Sequence, residues 1–315
     1  MAGSNGRPEW VERGKIGGID GLRGCAILGV LITHAAHVFL VDESDVLAPA
    51  ADFLGRLGVQ IFFAISGFLI TLLLLREYDR AGSISLRGFY RRRTLRIIPA
   101  YVCYLTAIFA AAGAGWITID ATSSAAALTY TMDFVPRPSL PTEHIWTLSL
   151  EEQYYLIWPL AFATLGPRGA FRGLLAFLIA TPLLRPAVES MLLSAGAHPT
   201  RILSSTTIAA GCLFAFVVWD RRAWPRLGRV RLPALLDHPA LVWLGTLSYS
   251  LYLWQQPILM NNGWNDRLPF AARVVLTFAS AAGSYHLIER PFLRLKERAA
   301  NRAGAAVAVG GVPSL

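Results

Sequence analysis

Two ionisable residues stand where an anchoring helix would carry leucine or alanine. Arg23 and His34 bracket the apolar run 24–33. On a helix turning 100° per residue, an eleven-residue separation leaves the two about 20° apart around the axis and roughly 16 Å apart along it. They therefore share a face, with Arg23 at the inner boundary and His34 in the outer half. Ionisable groups within a bilayer face the bundle interior or a wet cavity, so the pair reads as one wall of a route through the membrane. A snorkelling arginine and a histidine bonded to a neighbouring helix explain this helix equally well. His37, one turn on, reads as structural.

A second stretch, HIWTLSLEEQYYLIWP (144–159), enters an apolar run carrying Glu151, Glu152 and Gln153 in succession. Adjacent carboxylates on a helix project about 100° apart, so at most one of them easily faces a given partner. Tyr155 shares the face of Glu151. By depth Glu151 falls near His34, where a carboxylate can hold the imidazole tautomer and support its protonated form; a structural ion pair is the alternative. A third stretch, FYRRRTLRIIP (89–99), carries Arg91, Arg92, Arg93 and Arg96. Guanidinium forks suit phosphate oxygens, and the plainer reading is an anchor on anionic lipid.

These residues need membrane helices to position them. The 315-residue chain is 54% hydrophobic and 16% charged, with a mean hydropathy of +0.46, against about 25% charged residues in ordinary soluble domains. Continuous apolar runs, rather than alternation, argue for a polytopic all-α bundle and against an outer-membrane barrel. Eight spans are expected, near 24–41, 57–75, 97–115, 146–165, 170–185, 202–219, 239–260 and 269–288, with a re-entrant segment conceivable at Pro186–Pro199. With the N-terminus inside, the cytoplasmic segments 1–23, 76–96, 166–172, 220–238 and 289–315 hold all of the 29 lysines and arginines except Arg56, Arg137, Arg185, Arg201, Arg267 and Arg273. The acidic run Asp42, Glu43, Asp45 falls outside. This bias predicts both termini in the cytoplasm and an even number of spans. It also accounts for the net charge of +9 without nucleic acid as a partner. Cys25, Cys103 and Cys212 lie in or beside apolar runs without metal-ligand spacing and read as buried thiols; no metal site is expected. The first apolar run reads as a retained helix rather than a cleaved signal. The chain divides into a cytoplasmic segment 1–15, a transmembrane domain 16–298 and a disordered tail 299–315.

Taken together, Arg23-x10-His34, GVQIFFAISGFLIT (58–71), FYRRRTLRIIPAY (89–101), WTLSLEEQYYLIWP (146–159), LGTLSYSLYLWQQP (244–257) and ERPF (289–292) resemble the signatures of acyltransferase family 3, integral membrane enzymes that O-acylate sugars and related hydroxyl compounds. The resemblance implies an enzyme transferring an acyl group other than an aminoacyl group. Its donor would be acyl-coenzyme A, acetyl by default, and its acceptor a hydroxyl of a glycan, a lipid-linked sugar or a glycosylated small molecule. It implies a bacterial cytoplasmic membrane, with membrane lipid as a partner. His34 would be the general base, Glu151 the functional acid with Glu152 beside it, and Arg23, Arg93, Arg96 and Arg92 the acyl-coenzyme A site. Trp146, Ser149, Tyr155 and Gln255 are candidates to orient substrate, and Tyr155, Ser149 or His34 could carry a transient acyl group. Two departures stand out: the family usually shows about ten spans, and Gln255 stands where many members have histidine. The competing reading is a secondary transporter with His and Glu as a proton relay; it predicts an inverted repeat, which the sequence lacks.

Overall fold

The computed structural model describes residues 18–39, 46–194, 199–220 and 234–295, and all regular structure among them is helical. Helices α1 (Ile19–Phe39), α2 (Ala48–Ala81) and α3 (Leu86–Gly113) come first. The short α4 (Ala121–Thr129) and the 3-10 turns Met132–Phe134 and Leu140–Ile145 lead into α5 (Trp146–Ser194). Then follow α6 (Pro199–Leu203), α7 (Ser205–Trp219), the 3-10 turn Ala234–Asp237, α8 (Pro239–Leu259) and α9 (Phe270–Ser284), which passes into a π-helical turn, Tyr285–Glu289. The segment 1–15, the acidic run Asp42, Glu43, Asp45, most of the basic loop 220–238 and the tail 299–315 lie outside the described residues.

Among the described residues, five stretches are long and apolar enough to cross a membrane: Ile19–Phe39, Ala48–Ala81, Leu86–Gly113, Leu140–Ser194 and Arg201–Trp219. The expected number was eight, and the differences have physical causes. Two expected spans, 146–165 and 170–185, fall within the single stretch ending at Ser194. That stretch is interrupted at Gly166, whose φ of 67° leaves the helical region. Glycine tolerates that conformation, and Pro167 starts the second half without the N–H that a continuing helix would need. The serines, tyrosines and adjacent glutamines of α8 lower its hydropathy, and α9 has only 15 residues. The conceivable re-entrant segment begins instead as a continuation of α5, through Ser194.

The helices that carry the candidate chemistry meet through glycines. A Cβ on Gly24 of α1 would stand 2.1 Å from the Leu241 carbonyl oxygen of α8, and one on Gly245 of α8 would stand 1.7 Å from that of Asp20. Likewise α2 and α7 meet at Gly67 and Gly211, where a Cβ would stand 1.9 and 2.1 Å from the carbonyl oxygens of Ile208 and Ala64. Small residues let backbones close in lipid, where the hydrophobic effect contributes little between helices. The Thr33 hydroxyl donates to the Ala51 carbonyl at 2.5 Å, tying α1 to α2.

One apolar core, including Ile27, Tyr104, Ile145 and Leu251, gathers α1, α3, α8 and the 3-10 turns; a second, including Ile70, Phe89, Phe162 and Cys212, gathers α2, α3, α5 and α7. Of the three thiols only Cys212 is buried; Cys25 and Cys103 are partly exposed, and all three are free.

Candidate active site

The arginine run lies on the opening turns of a helix, not in a loop. Gly82, at a φ of 67°, ends α2. The Ser85 hydroxyl accepts from the Gly88 N–H at 3.1 Å and caps α3. Arg92, Arg93 and Arg96 then line a cavity of about 330 Å³, which Arg23, Arg76, Glu151, Glu152 and Tyr155 also line. The Arg93 guanidinium sits over the Tyr155 ring at 4.3 Å, and Arg92 pairs with Glu77 at 2.8 Å. The Tyr155 hydroxyl is bonded to Ser66 and donates weakly to Glu151 at 3.5 Å.

A smaller cavity of about 80 Å³ abuts the first and shares Arg23, Phe62, Leu148, Glu151 and Tyr249 with it. A third, of about 390 Å³, abuts the second at Val59 and Tyr252. His34 lines this last cavity with Asp52, Glu143, His144, Trp146 and Arg201. The three cavities follow the Arg23–His34 face of α1 from the arginines to the histidine.

The expected contact between Glu151 and the imidazole is not made. His34 Nδ1 is bonded to Gln255 Oε1 of α8, and Glu151 lines only the arginine cavity and the small one. The reason is helix position: Glu151 comes one turn into α5 on the side that meets α2 and α3, whereas the glycine contacts bring α8 onto α1. Against the expectation that at most one of the adjacent acids faces a given partner, both reach the arginine cavity. Gln153, the third polar residue of that run, is spent on structure, donating to the Tyr130 carbonyl at 2.8 Å and to Asp133 at 2.9 Å.

Among the other candidates, Trp146 lines the His34 cavity, edge-on to Phe63 at 5.9 Å. Ser149 is buried, and its hydroxyl accepts from the Met132 N–H at 3.2 Å; it lines none of the three cavities. His37 pairs with Asp52 at 2.7 Å. Four residues were not singled out as site candidates from sequence. His144, 3% exposed, holds the Leu253 carbonyl through Nε2 at 3.1 Å. Glu143 and Arg201 form an ion pair at 2.8 Å on the wall of the His34 cavity. Buried Glu289, on the π-helical turn, accepts from Ser250 at 3.0 Å. His144 stands at the head of the Glu151 motif and Glu289 opens the ERPF motif, whereas the Glu143–Arg201 pair spans 58 residues of sequence and carries no local signal. Among the described residues no group of three or more His, Cys, Asp or Glu is placed to hold a metal ion.

The described residues, all-helical with stretches fit to cross a membrane and with a basic and a histidine-lined cavity in series, define a helical membrane protein with an internal candidate site. Residues 16–192, more than half of the chain, match the family described as Acyltransferase domain, and the chain belongs to that family, acyltransferase 3. O-acetyltransferase OatA of Staphylococcus aureus strain NCTC 8325 is 26% identical over 352 residues, covering 87% of this chain and 56% of its own. A protein of strain COL with the provisional name O-acetyltransferase is 26% identical over 369 residues, covering 91% and 58%. This chain thus spans a little over half the length of these relatives. No solved structure gives a significant match.

Proposed function

We propose that this chain is a membrane O-acetyltransferase that takes acetyl-coenzyme A from the cytoplasm and delivers its acetyl group to a hydroxyl on the far side. The chain crosses a bacterial cytoplasmic membrane eight times with both termini inside. The observation that carries the reading is the series of abutting cavities along one face of α1, basic at one end and lined by His34 at the other. In it Arg93, Arg96, Arg92 and Arg23 hold the phosphates of the donor, with Glu151 and Glu152 offsetting their charge. The pantetheine arm runs past Arg23 toward His34, a path of the order of the roughly 16 Å between the two residues on their helix.

His34 removes the proton of the acceptor hydroxyl as general base, a role that suits an imidazole near neutral pH. The alkoxide attacks the thioester carbonyl, the carbon–sulfur bond breaks, and the imidazolium returns its proton to the thiolate. The acceptor is a glycan, lipid-linked sugar or glycosylated metabolite. The names of the relatives favour acetyl as the transferred group.

The test is release of free thiol from acetyl-coenzyme A by the purified full-length protein, with water or a supplied hydroxyl compound as acceptor. Wild type releases thiol, and His34→Ala is slowed by at least about 100-fold, the scale of general-base catalysis. Equal rates in the two would remove His34 from the mechanism. A wild type that does not bind acetyl-coenzyme A would remove the donor.

A further inference from the structure

The hydrogen bond between α1 and α8 determines more than the distance between two helices. Gln255 is fully buried, at 0% exposure, and its amide oxygen meets His34 Nδ1. An amide oxygen accepts and cannot donate, so with Oε1 turned to the ring the hydrogen sits on Nδ1 and, in the neutral imidazole, the lone pair is on Nε2. The other half of the same amide, Nε2 of Gln255, has no hydrogen-bond partner among the described residues. Burying an amide with one end unsatisfied costs stability that methionine or leucine at this position would not cost. Nothing else the amide does offsets that cost except its contact with the imidazole. Its helix is held on both sides: Gln256 donates to the Leu140 carbonyl at 2.8 Å, and the approaches of Gly24 to Leu241 and of Gly245 to Asp20 fix α8 against α1.

We propose that Gln255 is the positioning residue of His34: it selects the Nδ1–H tautomer and so makes Nε2 the nitrogen that takes the hydroxyl proton. This deepens the reading given above and rests on it for its kinetic consequence, not for the tautomer. Through the transfer, Nε2 gains the hydroxyl proton as the oxygen–carbonyl bond forms. It gives that proton to the sulfur as the carbon–sulfur bond breaks, and Nδ1–H donates to Gln255 throughout. A neutral amide performs this orienting task without adding a negative charge to the site.

The first test needs no activity. In full-length protein labelled with ¹⁵N-histidine, the His34 signals are those lost in His34→Ala. The expected result is a pyridine-type Nε2 and a pyrrole-type Nδ1, with Gln255→Met giving a tautomer mixture. A pyridine-type Nδ1 in wild type, or a Gln255→Met spectrum unchanged at His34, overturns the proposal. The second test is kinetic, with acetyl-coenzyme A as the probe. Gln255→Met lowers kcat about 10- to 100-fold and leaves KM within about twofold. Gln255→Glu, which restores an accepting oxygen at the same reach, recovers most of the loss. If Gln255→Met does not fold, Gln255→Asn, one methylene too short, carries the same expectation. Wild-type kcat in the short or apolar variant overturns the proposal. So does a folded Gln255→Glu as slow as Gln255→Met. If His34→Ala turns over like wild type while the spectra behave as expected, the general-base reading fails and the tautomer assignment stands.

Discussion

The approach of α1 to α8 can be tested by a single methyl group. In Gly245→Ala the new Cβ would lie 1.7 Å from the Asp20 carbonyl oxygen and 2.6 Å from its carbon. Real Cβ contacts do not fall below 3.0 Å, so the helices must part by about 3.0 − 1.7 = 1.3 Å. Both opposing atoms are backbone, and no side-chain rotation relieves the clash. Gly24 makes a similar approach to Leu241, so α8 cannot pivot about that end cheaply. The displacement is then carried along the helix pair to His34 and Gln255. Overpacking of this kind costs about 1–3 kcal/mol, and a misplacement near 1 Å costs about 100-fold in rate. The expected outcome is a lower unfolding midpoint together with a kcat for thiol release reduced about 100-fold. Gly173→Ala is the control: its Cβ meets nothing within 4 Å on an exposed turn of α5, and alanine there is neutral or stabilising by up to about 1 kcal/mol. A Gly245→Ala protein with wild-type midpoint and wild-type turnover would show that these helices do not meet through Gly245, and the geometry of the site would lose its foundation.

Two further predictions concern regions on either side of that contact. On the proposed donor site, Arg93→Ala and Arg96→Ala would each remove a charge-assisted hydrogen bond to phosphate worth about 1.5–3 kcal/mol, so each should raise the KM for acetyl-coenzyme A roughly 10- to 150-fold and leave kcat within a few-fold; unchanged KM in both would move the donor elsewhere. Asp120, exposed in the loop before α4, accepts from Ser123 and Ser139 at 2.6 and 2.5 Å, and those hydrogen bonds hold its carboxyl down to about 2. A carboxyl depressed in the folded state contributes stability that is present above its unfolded value and lost as pH falls through the folded one. The unfolding midpoint should therefore show no pH dependence from this group at neutral pH and a fall only between about pH 4 and pH 2, and Asp120→Asn should abolish that step; a step centred above pH 5 would contradict the assignment.

Much of the site was legible along the chain because helical periodicity is local. Arg23 and His34 share a face of α1 by spacing alone, and the structure lays a series of cavities along that face. Arg93 and Arg96, three apart on α3, reach the same cavity for the same reason. Glu151 and Glu152 could be marked as out of place in an apolar run, since carboxylates in such a setting need partners. Their partners could not be read, because which helices touch depends on contacts between residues far apart in sequence. The same limit applies to the span count, where a break at one glycine decides whether Trp146–Ser194 is one element or two.

The sequence by itself determined the membrane class, the polar residues that a bilayer would not tolerate without partners, and the family whose motifs they form. The first two follow from composition and from periods of a few residues; the family follows from the resemblance of its motifs to known ones. Only the tertiary structure decided who meets whom: that Gln255, 221 residues from His34, takes the place beside the imidazole, while Glu151 turns to the arginines. That choice is made where glycines on α1 and α8 let two backbones close to contact, and close packing between distant segments leaves no periodic trace in the chain.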